Sequence, residues 1–142
     1  MAEGDGQAVA WLDELVAKIR DWHEQIIETS GAAGEHTARL LACCARPFQG
    51  GVHGDYFPSD VEKGAALFHG IISGHPFVDG NKRTATLATT LYLIASGVLD
   101  NTPSPLHFRM LGELAVAVAS SRTTVEEVAD WLERILGPFE SL

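Results

Sequence analysis

Residues 75–85 read HPFVDGNKRTA, and the nine positions from His75 to Arg83 hold a histidine, a carboxylate, an asparagine, a lysine and an arginine. Each residue type supplies one part of a phosphate chemistry. His75 is of the residue type most often used as a general base. Asp79 offers a hard oxygen ligand, suited to Mg²⁺ bridged to phosphates. Gly80 lets the backbone turn tightly and approach a ligand closely. Asn81 can cap the helix that follows and fix the loop, and Arg83 can grip phosphate oxygens through its fork of donors. The start of a helix also exposes unpaired N–H groups and the positive end of its dipole, a natural place for an anion. Together the parts describe a nucleotide phosphate site with a base beside it. Taken singly they are ordinary: a loop histidine, an Asp-Gly turn, a helix cap and two solvated cations.

Positioning that loop requires a helix on each side. Ser59 and Glu62 form a capping-box pair, so a helix starts near Asp60. It buries Val61, Leu67, Phe68, Ile71 and Ile72, and Gly74 is placed to cap its end. After the loop, a helix over about 81–96 is apolar nearly all round, through Ala85, Leu87, Leu91 and Ile94, which predicts the central, buried element. Upstream, Val9, Leu12, Leu15, Val16, Ile19, Ile26 and Ile27 recur at helical spacing over about 8–29, until SGAAG ends the run. A second helix covers about 35–45. Downstream, helices are expected over about 105–120 and from TTVEE to the GP near the end. In the latter, Thr123 and Glu126 can form a capping box, and Val125, Val128, Trp131, Leu132 and Ile135 form the buried stripe. One segment breaks the pattern. FQGGVHGDYFPS, with Gly50, Gly51, Gly54 and Pro58, predicts an irregular loop or a short hairpin before the third helix. The expected architecture is all-α: a compact bundle of about six helices with a small flap, in a single domain over 1–142.

Composition limits the partners. The 142 residues are 46% hydrophobic, enough for a core, and carry 10 Lys+Arg against 19 Asp+Glu, a net charge of −9. Direct nucleic-acid binding is not expected, because phosphate neutralisation needs clustered cations. Cys43 and Cys44 are adjacent, in an apolar helical stretch, so neither a disulfide framework nor a zinc site is available and buried thiols are expected. A reducing cytoplasmic setting fits. No membrane association is expected: the start is acidic where a signal peptide is basic, and the most apolar run, 85–99, is too short to span a bilayer.

HPFVDGNKRTA resembles the signature of the Fic/Doc family, in which His-Pro-Phe is followed by an acidic residue and then Gly/Ala-Asn-x-Arg. DWHEQIIETSG, ARPF, YFPSDVEKGAALFHGI and TTVEEVADWLERI resemble stretches of Doc-type toxins in the same order, so the likeness covers nearly the whole chain. Family members that transfer AMP typically have glycine after the asparagine and a second arginine three residues past the first. Here those positions are Lys82 and Thr86, as in the Doc branch, which the resemblance implies binds ATP in the reversed sense and acts as a protein kinase. The implied activity is transfer of the γ-phosphate of ATP to a Ser/Thr hydroxyl of a target, with elongation factor Tu the expected one, arresting translation. AMP transfer is the alternative, and a catalytically idle interaction module another. The resemblance further implies His75 as base, Asp79 holding Mg²⁺, and Gly80, Asn81, Lys82 and Arg83 around the phosphates. Pro76 and Phe77 are expected as structural supports, with Phe77 plugging the core. Gly51, Val52, His53, Gly54, Asp55 and Tyr56 are expected as a flap that docks the target by strand addition. The built-in inhibitory helix of some members has Ser/Thr, three residues, then Glu and a small residue. Thr123 to Glu127 has the spacing, but Val128 follows. The expected inhibitor is therefore a separate antitoxin chain of the Phd type, docking on an open apolar groove.

Overall fold

The computed structural model describes residues 2–29, 31–99 and 105–136, with side chains from residue 12 onward. Six α-helices follow one another: α1 (Ala2–Thr29), α2 (Thr37–Ala45), α3 (Asp60–Gly74), α4 (Asn81–Ala95), α5 (Pro105–Ser120) and α6 (Val125–Leu136). A 3₁₀-turn, Arg46–Phe48, and a two-stranded hairpin, β1 (Gly50–Gly51) and β2 (Gly54–Asp55), lie between α2 and α3. The expected all-α bundle with a flap is what the chain forms. The segment expected to close α6, at Gly137 and Pro138, and the apolar side chain of Val9 lie outside the described residues.

The helix boundaries follow local chemistry. Ser59 accepts the N–H of Glu62 at 3.1 Å and starts α3. At the far end of α3 the left-handed residue is His75 (φ 52, ψ 56), not Gly74. Gly74 is required for another reason: a Cβ there would lie 2.9 Å from the Cys43 sulfur of α2. The α6 capping box is likewise one residue later than expected. Thr124 accepts the N–H of Glu127 at 3.2 Å and donates to its carboxylate at 3.3 Å. Thr123 is committed elsewhere, its carbonyl accepting from His69 at 2.7 Å and its hydroxyl meeting Ser121 at 2.6 Å. The second helix starts at Thr37 rather than residue 35, because Glu35 pairs across to Phe77 as an isolated antiparallel bridge.

Leu15, Val16 and Ile19 of α1, Leu40, Cys43 and Cys44 of α2, and the buried faces of α3 to α6 form one hydrophobic cluster. α3 packs against α2, α4, α5 and α6, whereas α4 packs against α1, α3 and α5. The central helix is therefore α3 at least as much as α4, whose Leu87, Leu91 and Ile94 are only half-buried. On α3, two further glycines, Gly64 and Gly70, and two alanines, Ala65 and Ala66, keep the helix thin enough for neighbours on several sides. Burial pushes the Cys44 thiol up to about 12, which keeps it protonated and inert. Trp131, expected in the α6 stripe, is 50% exposed beneath the Arg134 guanidinium, while Val128, Leu132 and Ile135 are buried as expected. Among the described residues, no helix is long and apolar enough to cross a membrane.

Candidate active site

The loop from His75 to Gly80 joins α3 and α4, which pack closely against each other, and is fastened by three separate elements. The first is the segment after α1. His36 N–H donates to Pro76 O at 2.6 Å and Val78 N–H donates to Gly34 O at 3.0 Å, so the motif lies beside Gly34–His36 as an extended pair. Gly34 has φ +133, and a Cβ there would strike the Val78 side chain at 2.7 Å. Arg20 of α1 steadies this segment through a forked ion pair with Glu35, at 2.7 and 2.9 Å. That pair holds the Glu35 carboxyl below its ordinary range.

The second fastening is His23 of α1. Its ring stacks on Phe77 with centroids 3.7 Å apart and planes 9° apart, and its Nε2–H donates to Asp79 O at 2.7 Å. Phe77 is buried at 1% exposure, as expected for a plug, and Pro76 is buried too. His23 did not emerge from the sequence as a site residue. The signal was available: it follows Ile19 by four residues, on the apolar stripe of α1, where a polar side chain needs a buried partner.

The third is Asn81. It was expected as a helix cap, but Gly80 (φ 81) holds the N-cap position and Asn81 is the first helical residue. Its amide instead turns back into the loop. Oδ1 accepts Phe77 N–H at 3.0 Å, and Nδ2 donates to Phe77 O at 2.8 Å and to His75 Nδ1 at 3.0 Å.

The reactive side chains surround the start of α4. The first bond of that helix runs from Thr84 N–H to Gly80 O, so the N–H groups of residues 81–83 face its open end. His75, Asp79, Lys82 and Arg83 are exposed there. The Asp79 carboxylate accepts Gly80 N–H at 2.8 Å and Ala32 N–H at 3.2 Å. Those two bonds, with the Arg83 charge, hold it below the usual carboxylate range. Each of its oxygens keeps a lone pair for a cation. Among the described residues no cluster of three or more His, Cys, Asp or Glu could cage a metal. A cation at Asp79 would need phosphate and water for its other positions, which suits Mg²⁺ carried with a nucleotide.

The flap is a hairpin pairing Gly50 with Asp55 and Gly51 with Gly54, and all its residues through Tyr56 are exposed, Val52 almost fully. Asp55 is tied to Lys63 at 3.1 Å, in the first turn of α3, whereas His75 caps the other end. The helical rise between Lys63 and His75 is about 18 Å. The flap is thus anchored at the start of α3 and the motif loop at its end.

Residues 11–93, more than half of the chain, match the sequence model of the Fic/DOC family. The chain belongs to the Fic/DOC family. This Fic/DOC protein is also similar to the Toxin Doc of Mycolicibacterium smegmatis (strain ATCC 700084 / mc(2)155), at 45% identity over 60 residues. That alignment covers 42% of this chain and 45% of the relative, so the match spans less than half the length of the curated protein. The family match runs from within α1 to most of α4, and takes in the motif loop, the flap, and the His23 and Glu35 fastenings of the Fic/DOC chain.

Proposed function

We propose that this chain is a Doc-like toxin, a protein kinase that transfers the γ-phosphate of ATP to a Ser or Thr hydroxyl of a target protein in the cytoplasm. Elongation factor Tu is the target we infer, and a separate Phd-type antitoxin the restraint. The observation that carries the reading is Lys82 with Thr86, on the first two turns of α4, where AMP-transferring relatives are expected to keep glycine and a second arginine. A lysine side chain recharges the phosphate cradle that glycine would leave as bare backbone, and Thr86 removes a phosphate clamp.

In this mechanism the phosphates lie against the N–H groups of residues 81–83 with the Lys82 and Arg83 side chains around them. These groups oppose the charge that builds on the equatorial oxygens during transfer. Asp79 would hold Mg²⁺, which supplies charge neutralisation across the phosphates when bound. The target hydroxyl oxygen attacks the γ-phosphorus, and its proton passes to His75. The bond from the γ-phosphorus to the β–γ bridging oxygen breaks, and ADP leaves with that electron pair. His75 then returns the proton to water. Because Asn81 donates to Nδ1, the neutral ring at rest carries its proton on Nε2. Receiving the target's proton requires the ring to turn, or the Asn81 bond to be released so that Nδ1 takes the hydrogen.

The flap anchor at Lys63 gives strand addition a length: about five or six extended residues would span from it to the hydroxyl at His75. Incubation of the protein with a bacterial extract and ATP labelled on either the γ- or the α-phosphorus tests the proposal. Label from γ alone supports a kinase, label from α identifies an AMP transferase, and no protein label from either points to the idle module.

A further inference from the structure

The flap has two roots. On its exit side, Lys63 of α3 holds the Asp55 carboxylate at 3.1 Å and also donates to Phe57 O. On its entry side, the chain arrives through the 3₁₀-turn Arg46–Phe48. Gln49 N–H donates to Arg46 O at 3.2 Å, and Tyr56 N–H donates to Gln49 O at 3.0 Å. The Arg46 side chain crosses to α3, where its guanidinium meets Nδ1 of His69 at 3.1 Å. Nε2 of the same ring meets Thr123 O, just before α6, at 2.7 Å, with the Ser73 hydroxyl 3.4 Å away. These partners determine the tautomer. A guanidinium only donates and a carbonyl only accepts, so Nδ1 is bare and Nε2 carries the proton.

We propose that Arg46 and His69 are positioning residues for the target-docking flap, a clamp on its entry strand that closes only while His69 is neutral. This rests on the flap-docking reading above and adds what holds the flap in place. A second proton on His69 has only Nδ1 to go to. There it would face an N–H of Arg46 with no acceptor between them, and put two positive charges on groups now 3.1 Å apart. The bond to Thr123 survives, because Nε2 donates in both states, so only the flap side lets go. From the elements packed on α3, two charges act on the ring: Arg46 on the turn opposes protonation, and Glu126 in the first turn of α6 favours it. Burial is the largest influence and, with Arg46, holds His69 below the ordinary histidine range, against the Thr123 bond and Glu126. A lowered value means that the clamp is fully present above the ordinary range and is lost as pH falls through the lowered value.

Nuclear magnetic resonance of the labelled wild-type protein, titrated downward from about pH 8, reads the clamp without any substrate. The His69 ring and the Tyr56 amide should move with one midpoint, and amide protection at Gln49 and Tyr56 should fall across it. His69→Gln keeps a donor for Thr123 O and an acceptor for Arg46 but does not titrate, so its flap should stay protected through that range. Arg46→Ala should lose about tenfold in protection already at neutral pH, the scale of one hydrogen bond to a charged group. With elongation factor Tu as substrate, Arg46→Ala should raise the KM for that protein about tenfold and leave kcat and the KM for ATP unchanged. A ring that titrates without moving Tyr56, wild-type protection in Arg46→Ala, or a pH step that persists in His69→Gln overturns the clamp. An unchanged KM for elongation factor Tu in an Arg46→Ala protein whose flap has lost protection overturns the docking role. Absence of phosphoryl transfer by the wild type overturns the transfer reading alone, since the amide signals still decide the clamp.

Discussion

Asn81 donates a side-chain N–H to Nδ1 of His75 at 3.0 Å, and that bond decides which ring nitrogen carries the proton. The amide cannot be turned over, because Phe77 N–H donates to its oxygen and Phe77 O accepts from its nitrogen. A nitrogen that accepts holds no proton, so neutral His75 is the Nε2–H tautomer. Asn81→Asp replaces the donor with an acceptor and should move the proton to Nδ1. Nitrogen NMR of the labelled ring checks this. A wild-type ring already protonated at Nδ1 would contradict the geometry.

His23 lies outside the motif but is expected to hold the loop in place. His23→Ala removes the stack on Phe77 and the donor to Asp79 O. The loss should be about 1–3 kcal/mol in denaturant unfolding, the cost of leaving a buried polar group unpaired. His23→Phe keeps a ring against Phe77, so it should recover part of that stability while phosphate transfer stays impaired. Phe77→Ala should cost more, about 3–5 kcal/mol, because the ring is fully buried. Full activity in His23→Phe would reduce His23 to core packing.

The Asp79 carboxylate is held below its ordinary range, first by Gly80 N–H and then by Ala32 N–H. A lowered folded value means the carboxylate stabilises the loop above the ordinary carboxylate range, and that this is lost as pH falls through the lowered value. Amide exchange at Ala32 and Gly80 should therefore stay slow at neutral pH and accelerate only below about pH 4. Asp79→Asn should speed exchange at Ala32 at neutral pH and abolish transfer. Slow Ala32 exchange in that variant would contradict the role of the carboxylate in closing the loop.

Much of this was legible in the sequence. Periodicity and capping residues gave the helices, and the glycines of FQGGVHG marked the hairpin, because these signals are local. What was missed depends on contacts between distant segments. Gly74 was read as a helix cap, yet its smallness serves Cys43 of α2. Asn81 was read as a cap because its hydrogen bonds to Phe77 and His75 exist only once the loop has folded back. Glu35 was placed in a helix because its pairing with Phe77 and Arg20 is invisible locally. The periodic stripe places Trp131 in the core, yet its ring is half exposed beside Arg134, because a stripe does not reveal how far the packed face extends.

Lys82 is where the kinase reading is most exposed. Lys82→Gly should lose γ-phosphate transfer, since the bare backbone can then accept the triphosphate in the other sense. Thr86→Arg alone restores only one clamp, so the double change Lys82→Gly with Thr86→Arg should gain more AMP transfer than either single change. Retained γ-transfer in Lys82→Gly would remove the lysine from the control of nucleotide direction.

The central claim is tested most directly by weighing the product. Purified elongation factor Tu is incubated with this protein, ATP and Mg²⁺, and its intact mass is measured. The predicted result is a gain of one phosphoryl group, reduced about 10²- to 10⁴-fold in rate when a well-folded His75→Ala protein is used, as loss of a general base requires. A gain of one adenylyl group, or a phosphoryl gain undiminished by His75→Ala, would contradict the account.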